Sequence, residues 1–119
     1  MTNKSIGKYG EEIAKNFLIE NGYKILEMNY HYSKVAEIDI IAVKDNIIHF
    51  VEVKTRTQNK FGTPFEAIDF KKLNSIFTCA SFYMKNSSKK FKKMQIDAVG
   101  ILLDKNNNFE IKFIENISL

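Results

Sequence analysis

Charged residues interrupt two apolar segments of the sequence, AEIDIIAV (36–43) and IIHFVEVK (47–54). Three of them, Asp39, Glu52 and Lys54, have types and a spacing that could do chemistry. Charged side chains are almost never fully buried unless they are paired or bind a metal. Two carboxylates on neighbouring strands, with a lysine two residues after the second, suit a divalent cation that works on a phosphate group. The pattern therefore indicates metal-assisted phosphodiester hydrolysis.

The residues between the two segments predict a tight antiparallel hairpin. The Asp-Asn pair at 45–46 tolerates positive φ and suits a two-residue turn. Pairing around this turn sets Asp39 opposite Glu52, with Cβ atoms about 4.5–5.5 Å apart. The same register sets Glu37 opposite Lys54. A shift of one residue would put the two opposed acids on different faces, so this register is what gathers the charged residues together.

An ordinary surface arrangement is the alternative for these residues. Glu37 would then form an ion pair with Lys54 across the strands, while Asp39 and Glu52 faced solvent. Two features favour the metal interpretation instead. The opposed acids have no base between them, and the flanking residues are apolar on both faces, as in a sheet that is covered on both sides.

Apolar periodicity places the elements that must position these residues. Thr63 and Glu66 form a capping box, and Pro64 takes the first helical position, so a second helix is predicted to begin there. The order α-β-β-β-α-β-β predicts an α/β fold, a mixed central sheet flanked by helices, in one domain spanning residues 1–119. The predicted helices are 5–20 and 63–86, and the predicted strands are 23–32, 36–43, 47–54, 94–103 and 108–116.

The charge of the chain is unevenly distributed. The net charge is +4, with ten basic and two acidic residues between positions 54 and 93 and eight basic and twelve acidic residues elsewhere. A basic segment in an acidic frame favours a polyanionic partner such as nucleic acid. A solvated lysine-rich surface explains the same charge pattern equally well.

Other features of the sequence narrow the function. No apolar run approaches the ~20 residues of a membrane span, and no secretory signal is recognisable at the start. The single cysteine, Cys79, has no internal disulfide partner, so we expect a cytoplasmic protein without a membrane partner. His31 and His49 lack zinc-ligand spacing with each other or with Cys79. We expect His49 and Cys79 to be packed in the interior.

Asp39 and the triplet Glu52-Val53-Lys54 match the PD-(D/E)XK nuclease pattern. GKYGEEIAKNFLIENGYKILEMNY, EIDIIAV, FVEVKTR and AIDFKKL line up in order with the bacterial YraN-type family. The chain resembles that family over roughly residues 5–101, and the family's fold is similar to restriction endonucleases and archaeal Holliday-junction resolvases. Ala36 stands where the family usually has glycine. Gln95 stands where arginine is usual, which weakens the case for a phosphate-binding role at that position.

The resemblance implies a restriction-endonuclease-like fold and a Mg²⁺- or Mn²⁺-dependent endonuclease. DNA is the expected substrate, with branched or otherwise structured DNA as one candidate. Asp39 and Glu52 would bind the metal together with the Val53 carbonyl, and Lys54 would be the catalytic lysine.

The resemblance also implies roles for residues outside the central motif. Glu11 matches a first-helix glutamate of the catalytic set, although a helix-dipole role explains it equally simply. Glu37 is a further candidate ligand or a partner for Lys54. For Gln58 and Lys72, ordinary surface exposure is favoured over contact with the site. The candidate nucleic-acid contacts are Arg56, Gln58, Lys72, Lys89, Lys90, Lys92 and Lys93.

Two other functions stay open at this point. The chain could be a catalytically inactive domain of the same fold that binds nucleic acid or a protein, or a nuclease acting on RNA. Resolvase-like relatives act as dimers, so a homodimer is also a candidate assembly.

Overall fold

The structure is a computed structural model of the chain, and it describes residues 2–34, 36–57 and 68–117. The predicted order α-β-β-β-α-β-β is confirmed. Neither helix in these ranges is long and apolar enough to cross a membrane. The elements are α1 (Asn3–Glu20), β1 (Lys24–Ser33), β2 (Ala36–Lys44), β3 (Ile47–Thr57), α2 (Phe70–Asn86), β4 (Lys93–Leu103) and β5 (Phe109–Ile114).

The five strands form one mixed sheet in the order β1-β2-β3-β4-β5. The pair β3–β4 is parallel, and the other three pairs are antiparallel. Two neighbouring parallel strands need a long crossover connection. Here the connection includes α2, which therefore lies against the sheet.

Each face of the sheet carries its own apolar core. On the α1 face, Leu18 packs with Val51 and Val99. On the α2 face, Phe50 packs with Cys79, whose burial confirms its predicted place in the interior. Because both faces are covered, β3 is a nearly continuous apolar run from Ile47 to Val53, and the two polar residues within it, His49 and Glu52, are buried.

The hairpin between β2 and β3 has the predicted turn and register. Asp45 and Asn46 both have positive φ, 53° and 63°. The backbone pairs run from Lys44–Ile47 to Ile40–Val51. The ladder ends there, so the predicted direct pairing of Asp39 with Glu52 and of Glu37 with Lys54 is wrong at the backbone level. The two strands diverge at the point where the acids begin.

The second helix begins later than the sequence predicts. Residues 68 and 69 are not helical, and Asp69 has an extended backbone with φ −96° and ψ −177°. Its carboxylate accepts a hydrogen bond of 2.8 Å from the Lys72 N–H, which makes Asp69 the N-cap of α2. A continuous helix from Thr63 is therefore wrong. The capping box and Pro64 lie outside the described residues.

Both edges of the sheet are short or irregular. In β1 the register with β2 shifts twice, between Ile25 and Glu27 and between His31 and Ser33. Asn29, between these two points, has a φ of 54°. At the other edge β5 has six residues.

The first helix contacts the sheet most closely at Gly10. A Cβ at this position would lie 1.8 Å from Thr55 Oγ1 and 3.0 Å from Thr55 Cβ. The threonine is β-branched and has little freedom to move aside. Gly10 therefore sets how closely α1 approaches β3. The contact is at Thr55, two residues after Val53. By contrast, a Cβ at Gly7 would meet nothing within 4 Å.

Replacing Gly10 with alanine is expected to destabilise the protein by about 1–3 kcal/mol, the usual cost of overpacking. The better helix propensity of alanine, about 1 kcal/mol, offsets only part of this loss. Gly7→Ala is the matched control and should leave stability unchanged or raise it. Urea denaturation of both variants measures the difference, and a stabilised Gly10→Ala would show that the helix and strand are not in close contact here.

Candidate metal and phosphate site

Asp39 lies where β2 separates from β3. Its Oδ2 accepts a hydrogen bond of 2.8 Å from the backbone N–H of Val53. The side chain thus takes the place that a backbone carbonyl would hold if the ladder continued. The result is a carboxylate fixed against the strand that carries the second acid.

Glu52 is a buried acid with 3% of its side chain exposed. It follows Phe50 by two residues, so its side chain lies on the α2 face of the sheet. Lys72 Nζ lies 3.1 Å from Glu52 Oε2. The contact is an ion pair without hydrogen-bond alignment, because Oε2 is a buried oxygen without a hydrogen-bond partner in the described part of the chain. A buried carboxylate with a free lone pair favours a further cation.

The two acids interact with each other. Burial of the Asp39 carboxyl, its hydrogen bond with Glu52 and the negative charge of Glu52 together raise the pKa of Asp39 to about 9. The Val53 N–H opposes this shift, and the charge of Glu11 adds to it. Two carboxyl groups held this close share a proton unless a cation lies between them. The site therefore carries electrostatic strain that a bound cation would relieve.

Asp39→Asn is expected to stabilise the protein in a chelating buffer. The folded protein holds the Asp39 proton more tightly than the unfolded chain, whose carboxyl pKa is about 3.9. Unfolding then releases a proton between pH 4 and about 9, so the stability of the wild type falls as pH rises through this window. Solvent in the cavity screens part of the effect, and we expect a gain of about 1–3 kcal/mol at pH 8.

Thermal unfolding at pH 5 and pH 8 tests this expectation. The difference between Asp39→Asn and wild type should grow with pH. Glu12→Gln is the control, since Glu12 has a side chain that is 60% exposed and a 3.6 Å ion pair with Lys15. A variant that is equally destabilised at both pH values would contradict the proposed proximity of the two acids.

A cavity of about 460 Å³ opens at this point, between α1, β3 and the first turn of α2. Asp39 and Glu52 form part of its wall. So do Glu11 and three cations, namely Lys54, Arg56 and Lys72. Val53, the other predicted ligand, lines it as well. The structure thus brings the central motif and the first-helix glutamate to one cavity.

Lys72 lies in the cavity and not on open surface, contrary to the expectation from the sequence. Burial of its ammonium lowers its pKa, but the neighbouring acids Glu52, Asp39 and Glu37 together outweigh burial and leave the pKa raised. Arg56 has a buried Nε without a hydrogen-bond partner among the described residues. These two groups, with Lys54, can neutralise an anion that enters beside the acids.

Two further acids are tied together by Asn29, a residue that the sequence analysis did not identify. Its Nδ2 donates to Glu11 Oε1 at 3.0 Å and to Glu37 Oε1 at 3.2 Å. Glu37 also lies 3.8 Å from His31 Nε2. Glu37 therefore faces β1, and the ordinary ion pair with Lys54 is absent from the described contacts. Asn29 thus fixes the position of Glu11 at the cavity. The sequence does not identify Asn29 because no local pattern predicts a positive φ within this strand.

The lysine run after α2 lies at the other end of the sheet. Lys93 pairs with Ile47 at the start of β3, and the Lys92 N–H donates to the Asn46 carbonyl at 2.8 Å. Ile47 precedes Glu52 by five strand residues, about 17 Å. Lys89, Lys90, Lys92 and Lys93 thus form a surface separate from the cavity. Gln58 lies outside the described residues.

His49 belongs to a buried polar network and not to the cavity. Asp97 is fully buried, and its Oδ2 lies 2.6 Å from His49 Nδ1. Its Oδ1 accepts from Gln95 Nε2 and from the Asn116 N–H, each at 2.8 Å. His49 is 4% exposed, as predicted for a packed strand histidine. Gln95 thus supports Asp97 and is not directed to a phosphate.

The donor set at the cavity fits a hard divalent cation. Asp39 and Glu52 supply two carboxylates, with the Val53 carbonyl adjacent. The described residues do contain one three-ligand group, His49, Asp97 and Glu115, whose ligand atoms lie within 4.8 Å of one another, but in it His49 and Asp97 already bond to each other in the network above. Two acids and open space suit Mg²⁺ or Mn²⁺, which retain waters and bind phosphate oxygens, better than they suit a closed zinc site.

Comparison with known proteins gives the family. A sequence model of the "Uncharacterised protein family UPF0102" matches residues 10–101. The chain belongs to the UPF0102 family. Its UPF0102 relatives include one in Dictyoglomus turgidum, 47% identical over 103 residues, which cover 87% of this chain and 86% of the relative. A Clostridium botulinum relative is 42% identical over 116 residues, 96% and 94% of the two chains. Since the UPF0102 match begins at Gly10 and includes β2 and β3, it spans the cavity acids.

Proposed function

We propose that the chain is a divalent-metal-dependent nuclease that hydrolyses phosphodiester bonds. The observation that carries the proposal is the pair of adjoining carboxyl groups, the half-buried Asp39 and the buried Glu52, in a cavity lined by three cations. The acids would bind the metal, and the cations would neutralise the charge of a phosphate. The match of Asp39 and Glu52-Val53-Lys54 to the PD-(D/E)XK nuclease pattern supports the proposal.

Each residue has a role in this proposal. Asp39 and Glu52 hold Mg²⁺ or Mn²⁺, with the Val53 carbonyl as a third oxygen. The metal, when bound, supplies Lewis-acid activation of the phosphate and of an attacking water. Lys54, two residues from Glu52 on β3, holds that water or neutralises charge on the phosphate oxygens. Glu11 lines the same cavity, where it is positioned by Asn29.

DNA is the substrate that we propose, with branched or structured DNA as the first class to test. Arg56 and Lys72 line the same cavity as the acids and are the residues that would contact the scissile phosphate. The separate surface of Lys89, Lys90, Lys92 and Lys93 would contact the nucleic-acid backbone about 17 Å further along. A substrate that contacts both the cavity and the lysine surface must extend along the sheet, which favours a polymer over a single nucleotide.

A cleavage screen tests the proposal. The purified chain is incubated with a four-way DNA junction, a linear duplex, single-stranded DNA and a structured RNA, each with Mg²⁺, with Mn²⁺ and with a chelator. Cleavage that requires the metal supports the proposal, and the substrate panel separates DNA from RNA. Salt-dependent binding without cleavage under any condition would instead favour an inactive nucleic-acid-binding domain.

A further inference from the structure

Lys72 contacts the one acid of the cavity that is almost fully buried. Its ammonium lies 3.1 Å from Glu52 Oε2, and its own side chain is 37% exposed. Glu52 Oε2 is also the buried oxygen that has no hydrogen-bond partner among the described residues. A cation that binds this oxygen must therefore displace the ammonium or share the oxygen with it.

The start of α2 holds Lys72 in this position. The Asp69 carboxylate accepts the Lys72 N–H at 2.8 Å, so Lys72 lies in the first turn of the helix. Long side chains in helices point back towards the N-terminus, which directs Lys72 to the strand end and to Glu52. A cation in the first turn is unfavourable for the helix dipole. The ion pair with Glu52 is the contact that compensates for this placement.

Lys72 is also placed to contact an anion in the cavity. It lines the same cavity as Lys54 and Arg56, the two other cations that could contact a phosphate there. Of the three cations, Lys72 is the one that forms an ion pair with an acid in the described part of the chain. Release from Glu52 would leave its ammonium free to contact a phosphate oxygen.

We propose that Lys72 is an internal counter-ion that occupies Glu52 until a divalent cation replaces it, and that it then binds the substrate phosphate. The proposal rests on the proposed nuclease function and names how its site is regulated. Because the released ammonium finds a partner only when phosphate is present, metal and nucleic acid bind with positive coupling. By linkage, each ligand then raises the affinity for the other by the same factor.

Mn²⁺ titration calorimetry of the full chain without nucleic acid tests the first half. Lys72→Met removes the competing ammonium and is expected to raise Mn²⁺ affinity roughly 5- to 50-fold, within the range of typical coupling between sites. Lys71→Met is the matched control, because Lys71 precedes Lys72 on the same helix and is exposed. Lys72→Gln is a second variant, and melting temperatures check that all three fold.

The second half is tested in a Lys54→Met background, in which the DNA is expected to stay intact. There a short duplex should raise Mn²⁺ affinity at least about fivefold. In Lys54→Met/Lys72→Met the same duplex should raise it much less, since the released ammonium is missing.

The outcomes separate this inference from the proposed function. Unchanged or weaker Mn²⁺ binding in Lys72→Met, with normal binding in wild type, overturns the role of Lys72 and leaves the metal site standing. A gain of equal size in Lys71→Met also overturns it, because the effect would then be general charge. A duplex that raises Mn²⁺ affinity equally with and without Lys72 refutes the transfer to phosphate. If neither wild type nor Lys72→Met binds Mn²⁺, both proposals fail together.

Discussion

Glu52→Gln is expected to abolish metal-dependent cleavage of nucleic acid by the chain. Glutamine keeps the size of the side chain and removes the charge that would hold the metal. Metal ions contribute several kcal/mol to transition-state stabilisation, which corresponds to a rate loss of about 10³-fold when the ligand is lost. Asp39→Ala and Glu52→Ala should show the same loss. Cleavage rates and Mn²⁺ calorimetry on the same preparations measure both effects.

The controls for this prediction separate chemistry from folding and from contamination. Glu12→Gln changes an exposed acid of α1 and should retain wild-type cleavage. The affinity of Glu52→Gln for DNA in a chelating buffer should not fall below that of wild type, because the phosphate-binding cations are retained and Lys72 is released from its ion pair with Glu52. If cleavage survives in both Asp39→Ala and Glu52→Ala, these two acids are not the catalytic metal site.

Asp97→Ala is expected to lower the free energy of unfolding by about 3–5 kcal/mol, the usual result of breaking a buried polar pair. The carboxylate is fully buried and joins three elements: His49 of β3, Gln95 of β4 and the Asn116 backbone after β5. Its removal takes a buried acceptor away from each of these groups. Since domains are stable by about 5–15 kcal/mol in total, the variant should unfold well below the wild-type temperature.

Asp104→Ala is the matched control for Asp97→Ala. Asp104 also accepts two backbone hydrogen bonds, at 2.8 and 2.9 Å from Asn106 and Asn108. It does so in an exposed turn, where water replaces the lost acceptor, so the change in stability should be much smaller. Denaturant unfolding of both variants gives the comparison. A loss below about 1 kcal/mol for Asp97→Ala would mean that the network contributes little.

Most of the fold could be predicted because its signals are local. Apolar periodicity gives the two helices and five strands, and the Asp45-Asn46 turn fixes the register of the β2–β3 hairpin. The start of α2 was misplaced for the same reason. Thr63 and Pro64 form a plausible cap in the sequence, but Asp69 supplies the carboxylate that accepts the hydrogen bond from the Lys72 N–H in the first turn of α2. Local sequence signals cannot decide between these two possible starts of α2, because tertiary contacts determine which one forms.

The acids of the candidate site could be predicted, whereas the residues around them could not. Asp39 and Glu52 lie near each other along a hairpin whose geometry is simple. Lys72 reaches Glu52 only because the crossover between parallel strands brings α2 onto that face. Asn29 joins Glu11 to Glu37 from an irregular strand. Neither contact can be predicted from the spacing of residues in the sequence, because both depend on how distant elements pack.

The irregular edges of the sheet bear on self-association. An exposed, regular edge strand is a template for pairing with another chain and for aggregation. Here β1 is interrupted by two register shifts and a positive φ at Asn29, and β5 is six residues long. Bulges twist an edge away from a flat pairing geometry. Extending the sheet at β1 with a second copy of the chain would require these irregularities to be straightened, so the β1 edge disfavours strand-to-strand pairing between copies.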